Sequence, residues 1–75
     1  MTASQFTTYV FPELVKQALR KKAAGQAQIL RTRVVEVAEH VTDDVNTVLT
    51  TEQMELVAQA VGGTYVTEGR HRIVF

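Results

Sequence analysis

The chain contains no cysteine, which excludes disulfide bonds, thiolate metal ligands and cysteine nucleophiles together. It also has no apolar run of about 18 residues or more, the minimum for a membrane-spanning helix. Residues 1–5 carry no charged side chain and form no apolar stretch, whereas a signal peptide begins with basic residues followed by apolar ones. At 75 residues, the chain is expected to form one domain, 1–75, that is soluble and cytoplasmic.

Groups that could carry out catalysis or hold a metal are scarce. Ser4 is the only serine and lies near the terminus, where order is least expected. On a helix, Glu36, His40 and Asp43 would share one face, but His40 and His71 lack the clustering of a zinc motif. We interpret this face as a solvated acidic surface. Glycine-rich phosphate loops are also absent, so the sequence predicts no catalytic residue, no metal site and no bound cofactor.

The sequence does contain a segregated charge pattern. Eight basic and eight acidic residues give a net charge of zero, but residues 1–35 carry +5, residues 36–68 carry −7 and residues 69–75 carry +2. Either the basic segments form a patch for phosphate or an acidic partner, or basic and acidic segments face each other within the fold or across a dimer. Because a surface ion pair contributes only about 0–1 kcal/mol, stability alone does not explain the pattern.

The basic residues are the best candidates for a binding surface, because lysine and arginine supply the phosphate contacts that dominate affinity for nucleic acids. A helix followed by a hairpin with a basic tip is also the element order of a winged helix. However, residues 51–61, in the recognition position, contain Glu52 and Glu55 and no cation, whereas recognition helices usually carry positive or amide side chains. The candidate binding residues are Lys16, Arg20, Lys21, Lys22, Arg31, Arg33, Arg70 and Arg72.

The beginning of the chain is predicted to contain a strand and then a helix. Residues 5–11 are aromatic and β-branched, which favours a strand. Pro12 would end this strand, because proline cannot donate to a sheet ladder, and it suits the first turn of a helix. An apolar stripe and a glycine stop predict a helix over residues 12–24. The stripe consists of Leu14, Val15, Ala18 and Leu19, and the stop is Gly25.

The middle of the chain is less well specified. Residues 26–41 fit a helical face, but they are also rich in good strand residues, and the apolar–polar alternation of a strand fails at Val34 and Val35; we favour the helix. Thr42 is followed by two aspartates. This pattern predicts an N-cap and a short helix over 43–49, or a continuation of the preceding helix.

A stronger helix signal follows. Thr50 and Gln53 have the spacing of a capping box, and Leu49 and Met54 occupy the positions of a hydrophobic staple. These two features predict a helix over residues 51–61.

The C-terminal residues predict a hairpin. Residues 64–66 and 71–75 are rich in strand-forming side chains and flank a short turn that contains glycine. We expect Ile73–Phe75 to form an ordered strand that pairs with residues 5–11 or lies in a subunit interface. The predicted fold is a single small α+β domain. Three to four helices pack on a short antiparallel sheet that is formed by the N-terminal strand and the C-terminal hairpin.

These observations favour a non-enzymatic protein-interaction module, such as a small inhibitor, adaptor or assembly component. A chain this small often completes its core by self-association, so a protein partner or a second copy in a homodimer is expected. The alternative is a small DNA- or RNA-binding protein that uses a basic patch from helix 12–24 and the C-terminal hairpin. No membrane association is predicted.

Overall fold

Three helical regions and one three-stranded antiparallel sheet make up the chain, of which the computed structural model describes residues 1–75. The predicted α+β class, with helices and a short antiparallel sheet, is confirmed. None of the helices is both long and apolar enough to cross a membrane. The elements are α1 (Ala3–Gln5), a π-helical turn (Phe6–Val10), α2 (Phe11–Ala23), β1 (Gln28–Leu30), α3 (Arg31–Thr42), α4 (Thr51–Ala60), β2 (Thr64–Val66) and β3 (Arg72–Val74).

The strand predicted over residues 5–11 is wrong, because this segment is helical and continues into α2. The buried side chains of Phe6, Val10, Leu14 and Ala18 recur every four residues and place one continuous stripe against the core. A capping box at Thr2 starts the helix. This tertiary burial outweighs the strand preference of the aromatic and β-branched residues.

A single wide turn precedes the proline in this helical region. The Phe11 amide donates to the Phe6 carbonyl, five residues back, as in a π-helix. Pro12 has no amide hydrogen and its ring crowds the carbonyl four residues back. A locally widened turn accommodates that defect without ending the helix.

The predicted glycine stop after α2 is confirmed. Gly25 has φ +87°, its amide lies 3.0 Å from the Lys22 carbonyl, and the Gln26 amide lies 3.1 Å from the Lys21 carbonyl. This is the pair of hydrogen bonds of a Schellman motif, which requires a left-handed residue and therefore favours glycine. Gly62 ends α4 with the same pair of bonds.

The helix predicted over residues 26–41 is correct only from Arg31 onward, because Gln28–Leu30 form strand β1 and residues 26–27 lead into it. The Arg31 amide donates to the His71 carbonyl at 2.9 Å, and the Phe75 amide donates to the Ala27 carbonyl at 3.0 Å. These bonds fix both ends of β1 against the C-terminal strand. Pairing with distant residues therefore decides the structure where local preference was ambiguous.

No helix forms over residues 43–49, so the predicted short helix is wrong. Thr42 is not an N-cap but the last residue of α3, and its hydroxyl donates to the Ala38 carbonyl at 3.0 Å. Asp43 has φ 53°, a left-handed conformation that ends the helix. The Thr42 hydroxyl also lies 2.6 Å from that of the buried Thr47, which holds the following loop against the helix end.

Helix α4 begins as the sequence predicts. The Thr50 hydroxyl accepts the Gln53 amide at 3.1 Å, and the Thr50 amide donates to the Gln53 side-chain oxygen at 2.9 Å. Leu49 and Met54, at the staple positions, are both buried in the core. Local sequence chemistry therefore determines the start of this helix.

The C-terminal hairpin is confirmed, but its third strand is β1 rather than residues 5–11. The strand order is β1-β3-β2, and both neighbours pair antiparallel with β3. Ile73, in the middle of β3, is completely buried and pairs with Ile29 and Tyr65. Phe75 is partly buried and packs against the same core, as expected for a strand with Ile73 and Phe75 on one side.

Candidate interaction surfaces

The sheet separates the predicted basic residues into two groups. The hairpin loop, residues 67–71, lies at the Arg72 end of β3. At the other end, Val74 pairs with Gln28, where the chain enters β1 from α2. Arg31, Arg33, Arg70 and Arg72 therefore belong to the hairpin end, and Lys16, Arg20, Lys21 and Lys22 belong to α2.

Arg31 forms hydrogen bonds that connect separate parts of the fold. Its half-buried guanidinium donates to the Tyr65 hydroxyl at 2.7 Å and to the Leu49 carbonyl. The Tyr65 hydroxyl in turn lies 3.3 Å from Nδ1 of His71. One side chain thus joins the start of α3, the start of α4 and the sheet, and its charge is directed inward.

Three further cations of the predicted patch also have partners within the chain. Arg72 donates to the carbonyls of Glu68 and Arg70, at 2.9 and 2.7 Å, and so closes the hairpin loop. The Lys22 amine donates to the Val61 carbonyl at 3.0 Å, at the end of α4, where a cation complements the unpaired carbonyls. Arg33 forms an exposed ion pair with Glu36 at 3.0 Å.

The remaining four cations form no side-chain hydrogen bond or ion pair in the structure. Arg70 projects from the hairpin loop, while Lys16, Arg20 and Lys21 lie on α2. Lys16 and Arg20 are exposed and stand one turn apart. The free positive charge on the helices is therefore concentrated on α2.

Leu19 lies beside these cations and is exposed, although its spacing predicted a place in the apolar stripe of α2. Leu14 and Ala18 of that predicted stripe are buried and Val15 is half-buried, but 44% of Leu19 is accessible to solvent. The buried stripe runs from Phe6 through Ala18 at four-residue spacing, and Leu19 falls outside it. We name Lys16, Leu19, Arg20 and Ala23 the basic face of α2.

The outward face of α4 has the opposite charge. Glu52, Glu55, Leu56 and Gln59 are all exposed, and Leu56 is 49% accessible. Neither glutamate forms an ion pair with another residue of the chain. We name these four residues the acidic face of α4. The sequence showed the two glutamates, but the exposure of Leu56 depends on which side of α4 packs on the sheet.

A shallow groove at the end of α3 collects most of the other acidic residues. Its lining includes Glu36, His40 and Asp43, as the helical spacing predicted, together with Glu39 and Asp44. No three histidine, cysteine or acidic side chains lie close enough to one another to hold a metal ion. The lining side chains make the groove an acidic surface.

Comparison of the chain with models of known protein families, with curated proteins and with solved structures finds no significant match.

Proposed function

We propose that this chain is a non-enzymatic protein-interaction module that self-associates as a homodimer. The observation that carries this proposal is the outward face of α4, which presents two unpaired glutamates and an exposed leucine. Negative charge beside an apolar side chain suits a protein surface, whereas it repels the phosphates of a nucleic acid.

The arrangement of elements places this face where related folds bind DNA. The order helix, strand, helix, helix, strand, strand, with sheet order β1-β3-β2, is that of a winged helix. In helix-turn-helix proteins the second helix of the motif enters the major groove, and here that helix is α4. Its exposed Glu52 and Glu55 stand where arginine, lysine, asparagine or glutamine usually read bases. A fold alone does not assign a function, and the acidic chemistry of this face supports a protein partner.

The small size of the core supports self-association. Only 14 of 75 residues are buried, and a chain of this length buries only about 60–65% of the surface that its unfolded form exposes. Small domains with such limited cores often gain stability by forming oligomers. A second copy of the chain is therefore the partner that the proposal names.

A nucleic acid is the second candidate partner, because Arg70 is free at the hairpin loop and the element order is that of a DNA-binding fold. Against it, the free cations of α2 lie away from the hairpin loop, whereas phosphate binding favours one continuous basic stripe. Of the four arginines at the hairpin end, only Arg70 and Arg33 are exposed, and Arg33 is paired with Glu36.

Fluorescence anisotropy with labelled duplex and single-stranded oligonucleotides separates the two candidates. We expect no sequence-independent binding at low salt. A nucleic-acid-binding protein would instead lose affinity with salt, with a log–log slope near −0.9 per phosphate contact, and Arg70→Ala would reduce that slope. Such a result, in a chain whose mass in solution is that of a monomer, would overturn the proposal.

A further inference from the structure

We infer that two copies of this chain pair about a two-fold axis, with the basic face of α2 from each copy lying on the acidic face of α4 from the other. This inference rests on the proposed self-association and adds the surfaces that carry it.

The two faces share one spacing. Lys16, Leu19, Arg20 and Ala23 occupy positions i, i+3, i+4 and i+7 of α2, so they form one stripe of about 100° on the helix surface. All four side chains are exposed. Leu19 lies between the two cations of this stripe, and the small side chain of Ala23 allows another helix to approach closely.

The acidic face of α4 has the same spacing and the opposite charge, with the leucine and the second charge in exchanged positions. Glu52, Glu55, Leu56 and Gln59 again occupy i, i+3, i+4 and i+7 and are all exposed. Single exposed leucines are common on protein surfaces. Here, however, Leu19 and Leu56 lie on helix faces of equal width and opposite charge, and such faces are complementary to each other.

The charges on both faces lack partners within the chain. The structure contains one ion pair, between Arg33 and Glu36, and neither residue belongs to either face. Within one molecule α2 contacts α4 through the hydrogen bond between Lys22 and the Val61 carbonyl, and this contact brings no cation of α2 to Glu52 or Glu55. The two faces are therefore available to another molecule.

A second copy of the chain is the partner that can pair the charges of both faces at once. Each copy presents both the basic face of α2 and the acidic face of α4, and the chain as a whole has no net charge. A two-fold axis makes the contact between α2 and α4 twice and leaves neither face unpaired. A stable interface buries roughly 800 Å² per partner, which is about a sixth of the 4720 Å² surface of one copy.

Charge reversal on one face at a time tests this pairing. We expect K16E/R20E to give a monomer, because both faces of that variant are then acidic, and E52K/E55K to give a monomer in which both are basic. An equimolar mixture of the two variants should recover a dimer, since each α2 then meets an α4 of opposite charge. Multi-angle light scattering after size-exclusion chromatography measures the mass.

The exposed residues of the hairpin loop provide a matched control. E68K/R70E reverses two charges outside both faces and should keep the dimer. Circular dichroism should show an unchanged helix content in all three variants, because exposed charges affect stability little.

The outcomes separate this inference from the proposed function. A dimer that survives both reversals overturns the pairing of α2 with α4 but leaves self-association standing. Two folded monomeric variants whose mixture stays monomeric also overturn the pairing. An unaltered chain that is monomeric overturns the pairing and the proposed self-association together.

Discussion

Arg31 shows how one residue can connect separate parts of a small fold. Its backbone amide binds the His71 carbonyl, and its guanidinium binds the Tyr65 hydroxyl and the Leu49 carbonyl. These partners lie just before α4 and in the C-terminal hairpin, two segments that are distant in sequence from Arg31. A planar guanidinium can serve two acceptors at once in fixed directions, which the single amine of lysine does not reproduce.

Replacing Arg31 by lysine should therefore destabilise the chain. We expect Arg31→Lys to lower the free energy of unfolding by about 1–3 kcal/mol, the range for leaving a partly buried polar group unpaired. Arg33→Lys is the matched control, because its ion pair with Glu36 is exposed and should change the value by about 0.5 kcal/mol or less. Urea denaturation measures both, and equal values for the two variants would contradict this role of Arg31.

The residue-scale prediction of a basic patch identified the cations but not their partners. Net charge and spacing made all eight candidates equivalent in the sequence. Arg72 bonds carbonyls of its own hairpin loop, whereas the acceptors of Arg31 and Lys22 lie 34 and 39 positions away. Such long-range pairing leaves no local signal, so sequence alone does not separate these cations from the free Lys16 and Arg20.

At the scale of elements, Thr50 fixes where α4 begins. Its hydroxyl and amide both bind Gln53, which satisfies two of the amides that a helix start leaves unpaired. Because the helix begins at Thr51, Glu52 lies in its first turn and joins Glu55, Leu56 and Gln59 on one face.

Removing this cap should cost stability without changing the fold. We expect Thr50→Ala to lower the free energy of unfolding by about 1 kcal/mol. The neighbouring Thr51→Ala is the control, since the Thr51 side chain is exposed and makes no hydrogen bond in the structure. Urea denaturation followed by circular dichroism distinguishes the two. A loss at Thr51 as large as that at Thr50 would argue against the capping box.

Elements with local signals were predictable, and those set by distant contacts were not. The capping box, the glycine stop at Gly25 and the hairpin are short-range features, and all three are confirmed. The N-terminal segment forms a helix and not the predicted strand because the four-residue repeat of buried side chains that begins at Phe6 outweighs strand preference. The ends of strand β1 are held by bonds that span 40 positions, from Arg31 to His71, and 48 positions, from Phe75 to Ala27.

At the scale of the whole molecule, β3 holds the two halves together. It is the central strand, paired with β1 on one side and β2 on the other, and Ile73 is completely buried in the single core. The helices pack on a sheet that exists only if this strand is in place.

Truncating the Ile73 side chain should therefore affect the whole fold. We expect Ile73→Ala to lower the free energy of unfolding by about 2–5 kcal/mol, a large part of the stability of a small domain. Val74→Ala, one residue further and only half-buried, should cost clearly less. Thermal denaturation compares the two, and a chain ending at Arg72 should not fold. An equally stable truncated chain would contradict the central place of β3.

The oppositely charged faces of α2 and α4 are the basis of the proposed binding of a second copy of the chain. Self-association through charged faces must weaken with salt, because ionic screening shortens the reach of exposed charges to about 3 Å at 1 M. Sedimentation equilibrium over a range of protein concentrations tests this most directly. We expect a mass of twice the 8.3 kDa of one chain at low salt, which falls toward that of a single chain as the salt concentration rises. A mass of one chain at every concentration and low salt would contradict this prediction.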